Sequence, residues 1–281
     1  MKYVSFNRPG SKVISLGKVV NQDAVQIVEL VSPDGKGTDL KTALAMHILD
    51  TLVEGETFTR EEIRLLPVVA DPGKILCVGL NYESHRKEAG RAEAEHPAIF
   101  TRYADSLIAH GDPIIRPRIS TKLDYEGELA LVIGKVGRNI PEKDALDYVT
   151  GYACFNDASI RDWQKHNIQF TPGKNFPGTG AFGPYLITPD EVGNLEEQRV
   201  ITRLNGEVLQ DQPISDMIWP LATLINYIST FTPLSPGDVI VTGTPGGVGF
   251  KRTPPVWMSP GDVVEVSVGT VGTLVNPIED E

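Results

Sequence analysis

The segment LDYEGELALVIGK places two carboxylates, Glu126 and Glu128, at the head of a run that continues apolar from Leu129 to Ile133. Successive side chains of a strand alternate between its faces, so the two glutamates project from the same one. The apolar continuation marks a buried strand, where two like charges are costly unless a cation neutralises them. The competing assignment is the solvated face of an edge strand, the usual place for such a pair. Asp124 has the same parity, nearer the strand end and solvent. A third acidic site, Asp157 in CFNDASIRDWQ, follows the strand-like run GYACF and opens a predicted helix. Alone it reads as a helix N-cap. Together Glu126, Glu128 and Asp157 form an oxygen-only donor set suited to Mg2+ or Mn2+, with water or substrate filling the remaining positions.

A second cluster lies in GLNYESHRKEAG, where His85 and Glu88 stand three residues apart after a strand and a turn. On a helical turn they face the same way, so the carboxylate can orient the imidazole and make it a candidate general base. Spacing alone points rather to a surface helix of mixed charge. The loop FTPGKNFPGTGAFGP carries one lysine, Lys174, able to approach a ligand oxygen or simply to sit exposed on a turn. The glycine-rich VTGTPGGVGF offers backbone N–H groups and Thr244 as donors to an anion. It has neither the Lys-Ser/Thr of a phosphate-binding P-loop nor the spacing of a dinucleotide fingerprint. There is no G-x-S-x-G elbow, no H-E-x-x-H and no Cys-x-x-Cys, and none of the five histidines is paired at metal-ligand spacing.

These groups need rigid supports, and the chain supplies strands. From residue 74 onwards the runs ELALVIG, VTGYACF, GPYLIT, VITRLNGEVL, DVIVTG and DVVEVSVGTVGTLV are strand-like and separated by Gly, Pro and Asn turns. LATLINYISTF, from Leu221, has helical periodicity. Ser-Pro-Gly-Asp occurs at Ser235 and again at Ser259, each time before a strand, and predicts two similar turns. Before these, residues 13–31 alternate as short strands, and DLKTALAMHILDTL has apolar residues at helical spacing, Leu40, Leu44, Ile48 and Leu52. The turn at Asp71, Pro72 and Gly73, followed by the buried-strand pattern KILCVGL, marks a boundary between a small α+β unit, residues 1–70, and a mainly β unit, residues 71–281.

The 281 residues suffice for a large core, and 37 acidic against 26 basic residues leave a net charge of −11 with no basic stripe. Nucleic acid and anionic membrane are poor partners for such a surface. An anionic substrate must meet a local cation that reverses the field, as a bound metal does. The N-terminus lacks a secretory apolar core and no apolar run reaches bilayer length, so a cytoplasmic location is expected. Cys77 and Cys154, in apolar stretches, read as buried free thiols.

In combination the motifs resemble the fumarylacetoacetate hydrolase superfamily from about Lys74 onwards. G-x-N-Y-x-x-H-x-x-E is met by Gly79, Asn81, Tyr82, His85 and Glu88, and D-Y-E-x-E-L-A by Asp124 to Ala130. N-D-x-S-x-R-D-x-Q is met by Asn156, Asp157, Ser159, Arg161, Asp162 and Gln164. G-K-x-F follows at Gly173, Lys174 and Phe176, and G-T-P-x-G-V-G at Gly243 to Gly249. The resemblance implies a β-roll or β-sandwich catalytic domain, a homodimer, and Mg2+ or Mn2+ on Glu126, Glu128 and Asp157. It also implies a catalytic His85/Glu88 pair on a segment that closes over the ligand, a catalytic role for Lys174, and substrate contacts from Tyr82, Gln164, Lys174 and Thr244.

The expected substrate is a small 2-oxo acid. The leading expectation is hydrolysis of a carbon–carbon bond in a 2,4-dioxo acid such as fumarylpyruvate or maleylpyruvate, His85 activating water while the metal holds the 2-oxo acid end. The same parts serve oxaloacetate decarboxylation or tautomerisation of a 2-hydroxymuconate-type diacid. A purely structural cation leaves His85, Glu88 and Lys174 without a purpose. Two positions depart from the family pattern: Arg102 stands where many members carry Lys, and the usual G-K-S-F reads G-K-N-F, with Asn175. Arg102 is expected to read a distal substrate carboxylate, or else to be an ordinary surface arginine.

Overall fold

Strands dominate the computed structural model, which describes residues 1–21 and 26–281. The largest sheet runs, edge to edge, through Val53–Thr59, Gln26–Val31, Ile14–Asn21, Lys2–Asn7, Gly180–Ile187, Val149–Asp157, Gly127–Ile133, Val239–Val241, Ile75–Gly79 and Ala98–Arg102. A second sheet of five strands, ordered Glu207–Pro213, Arg199–Leu204, Val263–Val268, Gly272–Asp280 and Ile114–Arg116, packs on it. This is the expected mixed β-roll and sandwich with a few helices.

The Gly127–Ile133 strand is central, paired with Val149–Asp157 on one side and Val239–Val241 on the other. Its two faces bury in different places. Leu129, Leu131 and Ile133 join the core between the sheets with Val264, Val266 and Leu274, while Ala130 and Val132 join a second core with Leu40, Ala43 and Phe155. A strand covered on both faces reads as a continuous apolar run, which is what ELALVI is. At its head Gly127 lets the second sheet close in: a Cβ there would stand 2.0 Å from Thr202 Oγ1. Glu126 and Glu128 have the parity of Ala130, so they point away from that contact.

The helix at Leu221–Phe231 forms where its periodicity places it and buries Leu221, Leu224, Ile225 and Ile228. Both Ser-Pro-Gly-Asp segments make the same turn, in which Asp238 accepts from Ser235 N at 2.8 Å and Asp262 from Ser259 N at 2.7 Å. Residues 39–52, expected as one helix, are two pieces. Asp39 caps Leu40–Ala45, His47 adopts a left-handed φ of 55°, and a 3-10 turn follows at Leu49–Thr51. Ile48 and Leu52 still pack on the core, so the spacing reported burial and missed the break.

The opening strands share the main sheet, Lys2 and Tyr3 lying opposite Ile187 and Leu186. The Asp71–Gly73 turn leads into Ile75–Gly79, which runs parallel to Val239–Val241. Cys77 and Cys154 are buried and free. No helix among the described residues is long and apolar enough to cross a membrane.

Candidate metal centre and active site

Glu126, Glu128 and Asp157 converge at the ends of two adjacent central strands, with Asp157 N bonded to Glu126 O at 2.9 Å. One oxygen from each lies within 4.8 Å of the others, and all three are buried, so the solvated edge-strand assignment is excluded. Cations are buried with them. Lys174, 1% exposed, is no surface turn residue: its Nζ lies 2.5 Å from both Glu126 Oε2 and Asp157 Oδ2. Gly173 permits this approach, since a Cβ there would stand 2.4 Å from Gln164 Cβ. Arg102, 2% exposed, pairs through Nη1 with Asp157 Oδ1 and donates to Ala158 O at 3.2 Å, Thr179 Oγ1 at 2.6 Å and Ser106 Oγ at 3.3 Å. A surface Arg102 is therefore ruled out, and its guanidinium is turned onto Asp157. Asn175 fixes the join between the two segments, accepting from Tyr103 N at 2.7 Å and donating to Thr101 O at 3.2 Å.

Two residues outside the expected site set complete this centre. Arg161 places Nε 2.7 Å from Asp124 Oδ2 and Nη2 2.6 Å from Glu126 Oε1, the latter a charge contact without hydrogen-bond alignment. Its Nη1 donates to Gln164 Oε1 at 2.9 Å. Asp124, expected near solvent, is fully buried and also accepts from Gly249 N and Phe250 N. The available signal was a pair of separate motifs, D-Y-E-x-E-L-A with Asp124 and N-D-x-S-x-R-D-x-Q with Arg161; the pairing spans 37 positions and no local pattern reports it.

The glycine-rich loop does something other than offer its N–H groups to a ligand. Gly243 N donates to Glu128 Oε2 at 2.5 Å, Gly246 N to Ser84 Oγ, Gly247 N to Glu88 Oε1, and Gly249 and Phe250 N to Asp124. The loop thus binds carboxylates of its own chain. Thr244 Oγ1 donates to Gly127 O at 2.9 Å and accepts from Gln210 Nε2 at 2.8 Å. His85, 7% exposed on the helix Glu83–Ala89, has Nδ1 3.1 Å from Glu88 Oε2, so a buried imidazole paired with a partly buried carboxylate replaces the surface-helix alternative. Tyr82 is fully buried and its phenol oxygen has no partner.

Electrostatics separate the carboxylates. Burial raises the Glu126 pKa, but Arg161, Lys174 and His85 outweigh it and bring the group down to about 2. Glu128 is pushed well above the ordinary range by burial and by the charges of Asp157 and Glu126, against which Lys174 and one N–H are insufficient. Burial opposes the Lys174 charge, yet Asp157 and Glu126 raise its pKa, so it stays an ammonium. Glu128 is thus a buried carboxylate lacking a cation of its own beside two others, an arrangement that a divalent ion neutralises. The oxygen-only donor set is of the kind that suits a divalent ion such as Mg2+ or Mn2+, which Glu126, Glu128 and Asp157 would hold.

Residues 74–279 match the protein-family model described as Fumarylacetoacetate (FAA) hydrolase C-terminal. The chain belongs to this family. A mitochondrial oxaloacetate tautomerase, fahd2 of Xenopus laevis, is 40% identical over 222 residues, 78% of this chain and 70% of that one. Oxaloacetate tautomerase YisK of Bacillus subtilis is 41% identical over 226 residues, 79% and 75% of the two chains. Among solved structures, the fumarylacetoacetate hydrolase of Exiguobacterium antarcticum superposes with a TM-score of 0.85 at 34% identity over the whole of both chains. The 5-carboxymethyl-2-hydroxymuconate delta-isomerase of Mycobacterium smegmatis does so with 0.82 at 27%.

Within this family member, Arg102 and Lys174 together hold Asp157 in place through buried ion pairs. Arg102→Ala leaves that carboxylate paired only with Lys174, and removing one partner of a buried pair costs about 3 to 5 kcal/mol. The expected result is a large fall in the melting temperature without metal, partly recovered by excess Mn2+. A variant as stable as the parent would remove Arg102 from the centre.

Proposed function

We propose that the protein catalyses keto–enol tautomerisation of a small 2-oxo diacid of the oxaloacetate type, with Mg2+ or Mn2+ on Glu126, Glu128 and Asp157. The observation that carries this reading is that relatives from a frog and a bacterium, at 40% and 41% identity, both bear the name oxaloacetate tautomerase. It therefore takes precedence over carbon–carbon hydrolysis, the leading expectation from sequence. The tautomerisation moves one proton between C3 and the 2-oxo oxygen, with no water consumed and no bond of the carbon skeleton broken. Held by Glu126, Glu128 and Asp157, the cation would supply Lewis-acid stabilisation of negative charge on the 2-oxo oxygen.

The chain's own groups divide the remaining work. In this scheme Glu88 accepts from Nδ1–H of a neutral His85, so that Nε2 is free to take a proton. In the enol-to-keto direction His85 takes the enol O–H proton and returns it to C3; the reverse direction retraces the path. Lys174, held as an ammonium, serves as a fixed positive charge for the substrate oxygens and not as a base. Tyr82 has an unused buried hydroxyl to donate. Arg102 acts through Asp157 in this scheme, since its guanidinium is turned onto that carboxylate, whereas Gln164 accepts from Arg161 through Oε1 and keeps its amide N–H groups for the substrate. A homodimer forms part of the same proposal.

The test follows the decay of enol absorbance on mixing enol oxaloacetate with the Mn2+-loaded protein, with pyruvate and carbon dioxide assayed in parallel. Accelerated ketonisation without either product is expected. Hydrolysis of a 2,4-dioxo acid is the second reading, favoured by the Exiguobacterium neighbour. Pyruvate released from acylpyruvates, with ketonisation at the uncatalysed rate, would establish it instead.

A further inference from the structure

The helix that carries His85 and Glu88 begins without a cap of its own. Tyr82 occupies the N-cap position and its side chain accepts no hydrogen bond from the first turn. The free N–H groups at a helix start require acceptors from elsewhere. One comes from far along the chain. Ser84 N donates to Asp216 Oδ2 at 3.1 Å, and the Ser84 hydroxyl donates to the same oxygen at 2.7 Å, across 132 residues. A carboxylate at this end of a helix is favoured by the backbone dipole, and its hydrogen bonds are charge-assisted.

The contact continues to the other side of the helix. Ser84 Oγ accepts from Gly246 N at 3.2 Å, and Gly247 N reaches Glu88 Oε1 at 3.1 Å, while Glu88 Oε2 holds His85 Nδ1. Space for these approaches depends on glycine. A Cβ on Gly246 would stand 3.2 Å from Ser84 C, and one on Gly247, at φ +102°, would stand 2.2 Å from Leu209 O. The helix is thereby clamped between the 3-10 turn Ile214–Asp216 and the glycine loop. Asp216 grips the residue directly before His85, and the loop grips the carboxylate that orients it.

We propose that Asp216 is a positioning residue for the His85–Glu88 pair: by holding Ser84 it fixes the start of the helix, and so keeps Glu88 aligned with Nδ1 of His85 and Nε2 available to the substrate. The kinetic consequence rests on the tautomerase reading; the structural one, the imidazole's tautomer, does not. The experiment compares the full-length, Mg2+-loaded parent with Asp216→Ala, Asp216→Asn and Ser84→Ala. Three quantities are read: kcat and KM for oxaloacetate ketonisation, Mg2+ affinity by calorimetry, and the His85 tautomer by 15N NMR.

For Asp216→Ala the expected result is a loss of kcat on the order of tenfold to a hundredfold, as for a small misplacement of a catalytic group. Mg2+ affinity should be unchanged, and His85 should pass from one Nδ1–H tautomer to a mixture. Asp216→Asn retains an acceptor oxygen for Ser84 and should recover most of both. Parent-like kcat and tautomer in Asp216→Ala would overturn the proposal, as would a Mg2+ affinity that falls as far as kcat, since that marks collapse of the whole centre. Should Asp216→Ala fail to fold, Ser84→Ala decides: it loses the hydroxyl link, a mixed tautomer supports the proposal, and a parent-like one overturns it. A parent protein with no ketonisation activity would sink the tautomerase reading, and the NMR comparison would still decide this one.

Discussion

Glu128→Gln is expected to abolish tight binding of Mg2+ or Mn2+, weakening it by more than the factor of about a hundred seen for residues that merely support a metal ligand. The fold should survive, because the amide is of the same shape and its oxygen can still accept the Gly243 N–H that Glu128 accepts now. The group it replaces is the one carboxyl of the buried trio that has no ion-pair partner among the described residues. Sign follows from the raised pKa of Glu128, caused by burial and then by Asp157 and Glu126. In the metal-free protein the folded state keeps a proton that the unfolded chain releases near its ordinary pKa of about 4.3. Between that value and the raised one, stability falls as pH rises. Metal must displace the same proton, so affinity climbs with pH over the same window. Calorimetric titrations and melting curves at mildly acidic and at neutral pH check this. The parent should gain more from metal at the higher pH, and Glu128→Gln should be the more stable of the two metal-free proteins there. Full metal stoichiometry in the variant, or an affinity indifferent to pH, would sink the assignment.

His85→Ala should keep the metal and lose turnover by at least the factor of about a hundred usual for a general base. The separation is expected because His85 is held by Glu88 on a helix, whereas the three carboxylates lie at the ends of central strands. Lys174 cannot take over the proton, since its two carboxylate partners keep it charged. Metal affinity by calorimetry and ketonisation rates are the two readouts. Turnover close to that of the parent would exclude His85 from the chemical step. Loss of ketonisation with retained carbon dioxide release from oxaloacetate would show that decarboxylation needs only the metal and the fixed charges.

The parts of this protein that were legible in its sequence are those set by short-range periodicity. Alternation placed Glu126 and Glu128 on one face, continuous apolar residues announced a strand covered on both sides, and two copies of Ser-Pro-Gly-Asp announced one turn made twice. Spacing of three put Glu88 under His85. Ordered motifs then named the family, because each motif is local even where the site is not. What tertiary structure alone decided is which charge meets which. Lys174 and Arg102 look alike in sequence to any loop lysine and arginine, yet both are buried against Asp157, 17 and 55 residues away. The glycine loop reads as an anion cradle, yet its N–H groups are spent on Glu128, Glu88 and Asp124 of the same chain. A strand pattern specifies a face but not what packs upon it, and the free energy of a buried charge depends on partners delivered by sheet order and loop closure. Those contacts join segments up to 162 residues apart in this site's helix and loop, a separation over which residue types carry no register.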